Sequence, residues 1–328
     1  MLGIRLKYRL LLIYRKFLLL IGLKKMLLKN RYGERILVFH GIDKAGETKY
    51  NSRFISRDFF EKFIKYISSH YNIISLDEYY QKKFKPNTLN IALTFDDGYL
   101  NNYKYAIPIL KKYNIPASFY ITTVHKKASY IFNDFIDIVS YHSQKNKLVF
   151  DKVTYKKNIK NEFVCNGSSL KEMAQKWPYK KIEELYELLK DDWNALSPKK
   201  KGDYWKLMSV EQLRELSQNP LFTIGAHGET HASLINISVK EAKEEIAHSK
   251  ESLEMICGQT IDEFAFPFGH YNNELGNYCK EIGFTKVLLV DYNTYSDKKK
   301  SIYRSRFVMN PYISLDMQLI YLLKGTYY

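Results

Sequence analysis

Cysteine is scarce: Cys165, Cys257 and Cys279 are the whole supply in 328 residues. Their odd number, and the lack of any C-x-x-C pair, argue against a disulfide framework or a cysteine zinc site and favour a reducing compartment. A long hydrophobic run is missing as well. Leu10 to Tyr14 and Phe17 to Leu23 are apolar, but Arg15-Lys16 divides them, and neither run approaches the ~20 residues needed to cross a bilayer. No small-residue cleavage site follows Phe17 to Leu23 before Lys24-Lys25, so a secretory signal fits poorly. Helix-turn-helix, zinc-finger and RNA-binding signatures are absent, which leaves nucleic acid without support as a partner. No glycine-rich nucleotide loop opens a helix after a strand.

What is abundant is positive charge. The formal balance is +16, which suits an anionic partner, although lysine is also plentiful throughout the chain. Arg5, Lys7, Arg9, Arg15, Lys16, Lys24, Lys25, Lys29 and Arg31 crowd the first 32 residues, and no acid precedes Glu34. This pattern predicts a basic amphipathic N-terminal segment, 1–32, lying on an anionic membrane surface; packing against the protein's own body is the alternative. The expected location is cytoplasmic, peripheral on the inner face of the cell membrane, with no obligate protein partner. At 45% hydrophobic and 26% charged, residues 33–328 can bury one large α/β domain.

Within that domain, short apolar runs ending in polar residues alternate with helical patterns. Ile36 to Phe39 leads to His40-Gly41, Ile91 to Phe95 to Asp96-Asp97-Gly98, Phe222 to Ala226 to His227, and Glu263 to Phe268 carries Pro267. Ser56 reads as a helix N-cap, and Ser209-Val-Glu-Gln212 and Ser238-Val-Lys-Glu241 as capping boxes. Strands alternating with helices predict a parallel sheet. Polar residues at successive strand ends favour a (β/α) barrel, which builds its site on that face; an open doubly wound sheet is the alternative. Residues 124–208 break the rhythm and read as an insertion, with helical patterns at 132–141 and 182–196. Their Trp177, Trp193 and Trp205 are expected in a small core of their own, with stacking on sugar rings as the other use.

His227 and His231 stand four residues apart, so a compact turn can aim both imidazoles at one ion. The spacing of the intervening glutamate is not that of a zincin. With a carboxylate from another strand end they would form the two-histidine, one-carboxylate set of catalytic metals. Adjacent aspartates in an extended strand point to opposite sides, so Asp96-Asp97 needs the turn at Gly98 to serve one pocket. The natural division is one aspartate on the metal and one as a general base.

Thr94-Phe95-Asp96-Asp97-Gly98, His227-Gly-Glu-Thr-His231 and Ala265-Phe266-Pro267-Phe268-Gly269 resemble, in order, the first three motifs of the polysaccharide deacetylase (NodB-like) family, nearest the branch with poly-N-acetylglucosamine deacetylases. The resemblance spans roughly residues 34 to 310. It implies a distorted (β/α) barrel, Asp96 as general base, Asp97, His227 and His231 on a divalent metal with zinc foremost, and Pro267, Phe268 and Gly269 at the substrate oxyanion. Two features depart from the pattern. The arginine that often begins the third motif is replaced by Ala265, for which Arg306 is the candidate substitute and Arg304 the fallback. The late Leu-x-x-His that supplies a general acid is absent, which leaves His40 first and His270 second. The implied activity is removal of N-acetyl groups from an amino-sugar polysaccharide or glycan precursor; the alternatives are an O-deacetylase and a catalytically impaired glycan-binding or assembly protein.

Overall fold

Runs of leucine, isoleucine and phenylalanine that are buried on both faces can only be accommodated in a sheet covered on both sides, and such sheets are parallel. In the computed structural model, which describes residues 2–28, 32–196 and 202–327, nine strands make that sheet. They are β1 (Gly33–Phe39), β2 (Asn72–Ile73), β3 (Leu89–Phe95), β4 (Ala117–Ile121), β5 (Phe222–Ala226), β6 (Glu263–Ala265), β7 (Lys286–Leu289), β8 (Tyr303–Ser305) and β9 (Phe307–Val308). Their pairings are parallel in the order β8-β7-β6-β5-β4-β3-β1-β9, with β2 joined to β3. β8 and β9 follow each other in the chain yet lie at opposite ends of this order. The chain itself therefore crosses the seam, and the sheet curls into the nearly closed, distorted (β/α) barrel expected from the sequence.

The twofold period of the strands sorts their side chains. Ile36, Ala92, Tyr120, Ala265 and Leu288 form one buried cluster, and Leu37, Leu93, Phe119 and Leu289 belong to another beneath the helices. Phe39, Phe95 and Phe119 stack across neighbouring strands with centroids 5.1 and 4.8 Å apart. Around the barrel, α2 (Arg57–His70) is capped by the Ser56 side chain and buries Phe60, Phe63, Ile64 and Ile67. α4 (Val239–Cys257) opens on the Ser238/Glu241 capping box and stops at Gly258, whose left-handed backbone ends it. α5 (Leu315–Lys324) returns along β9 and β1, where Arg35 Nε donates to the Leu322 carbonyl at 3.3 Å.

Residues 124–208 hold α3 (Phe132–His142), the short helices Tyr179–Leu188 and Lys190–Ala195, and a four-stranded antiparallel sheet. The sheet was not foreseen. Its strands are two to five residues long, too short for an alternating pattern to stand out. The helical pattern over 182–196 breaks in two at Leu189. Trp193 lies 5.0 Å from Phe135 and 5.4 Å from Trp205, and Trp177 lies 5.2 Å from Phe150. The indoles thus pack into an apolar cluster built mostly from this segment, which Tyr50, Phe54 and Tyr99 join from outside it.

The basic segment forms α1 (Leu2–Leu20) and a further short turn of helix, Lys24–Leu27. Leu12, Leu18 and Leu19 face the body. The Arg15 guanidinium sits 4.8 Å from the Tyr321 ring centre on α5, and Lys24 pairs with Asp316 at 2.6 Å. Lys29 and Arg31 lie outside the described residues. Among the described residues, no helix is long and apolar enough to cross a membrane.

Candidate metal centre

All seven residues of β3 are buried, so the carboxylates that follow emerge from the interior of the barrel. Asp96 continues the strand, its N–H donating to the Phe39 carbonyl at 3.0 Å. The backbone then turns through left-handed conformations at Asp97 (φ 76°) and Gly98 (φ 80°). That turn brings two successive carboxylates into one pocket, as the sequence requires. A second turn, with Gly228 at φ 75° and His231 at φ 61°, does the same for the two histidines after β5. An aspartate and a histidine held in a conformation uncommon for non-glycine residues mark a site where geometry is fixed by function.

Asp97 Oδ1 lies 3.1 Å from His231 Nε2 and 3.4 Å from His227 Nε2. One ligand atom from each of these buried residues falls within 4.8 Å of the others. His227 Nδ1 meets the Ala265 carbonyl at 2.7 Å; as donor there it leaves the Nε2 lone pair facing Asp97, the usual second-shell device of a metal-ligating imidazole. Neither Asp97 oxygen accepts a hydrogen bond, though both are buried. Arg53 reaches only Oδ2, while Oδ1 faces two imidazole nitrogens with no donor of its own, an arrangement that a cation held between the three would stabilise. The donor set therefore fits a divalent metal. Burial works against the charge of Asp97, but Arg53, with Nη2 at 3.5 Å from Oδ2, and then His231 outweigh it and hold the carboxyl well below the usual range.

Asp96 is held separately. Arg306 donates from Nη1 to Oδ1 at 2.6 Å and from Nη2 to Oδ2 at 2.7 Å, a bidentate pair buried on both sides. Nη1 also reaches Thr94 Oγ1 at 3.3 Å, and the guanidinium lies 5.6 Å from the Tyr120 ring centre. Burial opposes ionisation of Asp96, yet Arg306 and then His227 lower its pKa. Arg304 is elsewhere, donating to the carbonyls of Ser301 and Tyr303 and stacking on Tyr80. Ala265 is wholly buried on the barrel's inner face. Its methyl group leaves the interior to a guanidinium arriving from the seam between β8 and β9.

His40 follows β1, where Asn102 Nδ2 donates to its carbonyl at 2.7 Å. Burial, then Arg53, push its imidazole down to about 3. His270 is exposed, with Nδ1 3.0 Å from Ser233 Oγ. Pro267 to Gly269 form a single tight turn in which Phe268 takes φ 59°, and the Phe268 ring packs edge-on to His231 at 4.7 Å.

Sequence reasoning missed two groups of supports. The first lies in the loop before α2: Arg53 on Asp97, and Asn51 Nδ2 donating to Asp134 Oδ1 at 2.9 Å, while Tyr99 donates to Asp134 Oδ2 at 2.7 Å. Asp134 belongs to α3, so the insertion is tied to the metal pocket through these polar groups. Nothing in the local pattern distinguishes these residues. The second is Glu245 on α4. Its Oε2 accepts from the backbone N–H groups of Glu229 and Thr230 at 2.9 and 2.8 Å, and Oε1 accepts from Thr230 Oγ1 at 2.5 Å. A signal existed for it, because a carboxylate three residues after Ala242 falls on the helix's buried face.

The family profile described as Polysaccharide deacetylase matches residues 83–287. Among curated proteins, the poly-beta-1,6-N-acetyl-D-glucosamine N-deacetylases of Staphylococcus aureus strains are 42% identical over 74 residues, which is 22% of this chain and 26% of the relative. The match thus spans about a quarter of those relatives' length. Among solved structures, the Streptococcus pyogenes deacetylase PplD in complex with acetate superposes with a TM-score of 0.54 at 17% identity, over 86% of this chain and 94% of that one. IcaB from Ammonifex degensii gives 0.54 at 16% identity, over 89% and 97%. At these identities the superpositions establish a shared fold.

Proposed function

Because the chain belongs to the polysaccharide deacetylase family, we propose that it is a metal-dependent hydrolase that removes N-acetyl groups from an amino-sugar polysaccharide or glycan precursor. One observation carries the reading: a buried Asp97-His227-His231 donor set stands beside a second carboxylate, Asp96, that is held apart from it by its own arginine. The two carboxylates have been given different partners, as a ligand and a base require. Their surroundings within the 33–328 domain, insertion 124–208 included, are the frame for that division.

Asp97, His227 and His231 would hold the cation, which we take to be zinc from the mixed nitrogen and oxygen donors. When bound, such an ion supplies Lewis acidity toward the acetamide and lowers the pKa of a water. The rest is done by the chain. Asp96 accepts the proton of the attacking water, a role worth roughly 10² to 10⁴ in rate. Arg306 keeps Asp96 ionised and fixes both its oxygens, so the base does not swing toward the ligand set. The backbone N–H of Phe268, in the turn Pro267 to Gly269, donates to the acetamide oxygen as charge develops there; such donors contribute ~3 kcal/mol. His40 is assigned to the departing amine, with His270 behind it. With its imidazole pushed down to about 3, it receives its proton during turnover rather than holding one at rest. Products are acetate and a free amino sugar.

The reading of an impaired glycan-binding protein drew on the alanine at 265 and on the missing late histidine. Arg306 on Asp96 answers the first of these, and acetate release decides the second. Purified protein supplied with a divalent metal should release acetate from an N-acetylglucosamine oligomer, and Asp96→Asn should abolish release while metal stays bound. Full activity in that variant would remove the base assignment; release from O-acetyl but not N-acetyl substrates would replace the reaction with O-deacetylation. A cytoplasmic location, peripheral on the inner face of the cell membrane, belongs to the same proposal and rests on the scarcity of cysteine and on the basic N-terminal segment.

A further inference from the structure

The sequence left two uses for the basic segment, packing on the body or lying on a membrane, and the structure divides them between two faces of one helix. Leu12, Arg15, Leu18 and Leu19 hold α1 against the body. Leu10, Ile13, Tyr14, Phe17, Leu20 and Ile21 are each more than half exposed. At 3.6 residues per turn their spacing makes one continuous apolar stripe on the far side. In sequence the same segment carries nine basic residues between positions 5 and 31.

We propose that this stripe is a docking face for an anionic lipid bilayer. The occupant follows from charge. No acid lies between residue 1 and Glu34, so a second copy of the chain meeting face to face would bring like charges together, whereas an anionic leaflet neutralises them. A helix with an apolar stripe in a strongly basic segment lies in the interface plane with the stripe among the acyl chains. Because α1 is fixed to α5 through Arg15–Tyr321 and Lys24–Asp316, it does not drift free as a tether. It sets how the barrel meets the surface. α5 runs along the barrel wall, antiparallel to β9 and β1, so the bilayer contacts the flank. The strand C-terminal ends, with Asp96 and the metal ligands, open alongside the membrane, where a glycan chain near the surface has lateral access.

The inference does not depend on the deacetylase reading, because vesicle binding is measured without acetate release. The full chain is sedimented with phosphatidylcholine vesicles, either alone or doped with phosphatidylglycerol. The expected result is binding to the anionic vesicles that weakens with added salt, and at least about tenfold weaker binding for Phe17→Glu/Leu20→Glu. Acetate release from a soluble oligomer should be unchanged, since neither residue lies near the site. If that variant fails to fold, Ile13→Ser/Leu20→Ser provides the same comparison. Equal binding to neutral vesicles, no binding at all, or undiminished binding by the folded variants overturns the proposal. So does a dimer, seen by light scattering, that the substitutions dissolve.

Discussion

Replacing Arg306 with methionine should destabilise the fold and disable the base at once, and the size of the effect can be worked from the geometry. The guanidinium and the Asp96 carboxylate are joined by two short bonds, and their side chains are only 1% and 5% exposed. Deleting one partner of such a pair leaves an uncompensated buried charge, at a cost of about 3–5 kcal/mol. His227 Nε2, 4.0 Å from Asp96, and water entering the gap offset some of it, so the lower end is expected. With ~2.1 cal/mol/K of unfolding entropy per residue, that corresponds to a fall in Tm of roughly 4–7 °C. Asp96→Asn alone strands the arginine in the same way. The double variant, Asp96→Asn/Arg306→Met, should therefore be more stable than the sum of the two single losses predicts. Urea unfolding of the four proteins measures that coupling. Below the unfolding range, Arg306→Met should lose kcat by about 10²-fold or more with metal content unchanged, and Arg306→Lys should recover stability better than rate, because lysine keeps the charge but not the fork. An Arg306→Met protein within ~1 kcal/mol of wild type and fully active would refute the argument that this pair orients the base.

Two further outcomes follow from buried carboxylates. Glu245→Ala should weaken metal binding about 10- to 100-fold, because it frees the backbone of Glu229 and Thr230 between the two histidine ligands, with Glu245→Gln intermediate; competition with a chromogenic chelator reads it, and unchanged affinity would make Glu245 a merely structural residue. Glu263 gives a pH signature. Burial raises it to about 7, while in the unfolded chain a glutamate titrates near ~4.3. Between those values the folded state binds a proton that the unfolded state has released, so stability contributed by the protonated form is present at low pH and is lost as pH rises toward 7. Glu263→Gln should remove this loss, gaining on the order of 3 kcal/mol over wild type at pH ~8 and little at pH ~4; denaturation curves that run parallel across that range would exclude it.

The parts of this protein that could be read in its sequence are those in which a pattern and a chemistry coincide locally. β3 is an unbroken apolar run ending in two carboxylates, His227 and His231 share one turn, and the capping boxes at Ser209 and Ser238 announce their helices; each was readable because a few adjacent residues decide it. Glu245 was half visible, as a carboxylate on an apolar helix face, but only the fold shows that it faces the metal loop. Arg53, Asn51 and Asp134 carried no signal. They act across 44 residues or more, from Arg53 to Asp97 and from Asn51 to Asp134, and each looks locally like a solvated polar group. The insertion's sheet failed for a different reason, since strands of two to five residues are too short for a period to stand out.

Arg306 joins these two categories and explains why the barrel is built with a seam. A third motif beginning with alanine leaves Asp96 without an arginine on the neighbouring wall, so a brace must enter from elsewhere. It enters from the step between β8, paired to β7, and β9, paired to β1. Arg306 is the single residue in that step. Its N–H reaches back to the Val290 carbonyl at 3.3 Å, while its side chain reaches Asp96 at the end of β3, two strands along the barrel. The residue that closes the barrel is thus the one that holds Asp96, the proposed base, and loss of either task should carry the other with it. A substitution at Ala265 tests this from the opposite side: Ala265→Leu, on a wholly buried inner position, should overpack the space taken by the guanidinium, costing about 1–3 kcal/mol and lowering kcat. If Ala265→Leu lost stability but kept full kcat, closure of the barrel and support of the base would be separate functions.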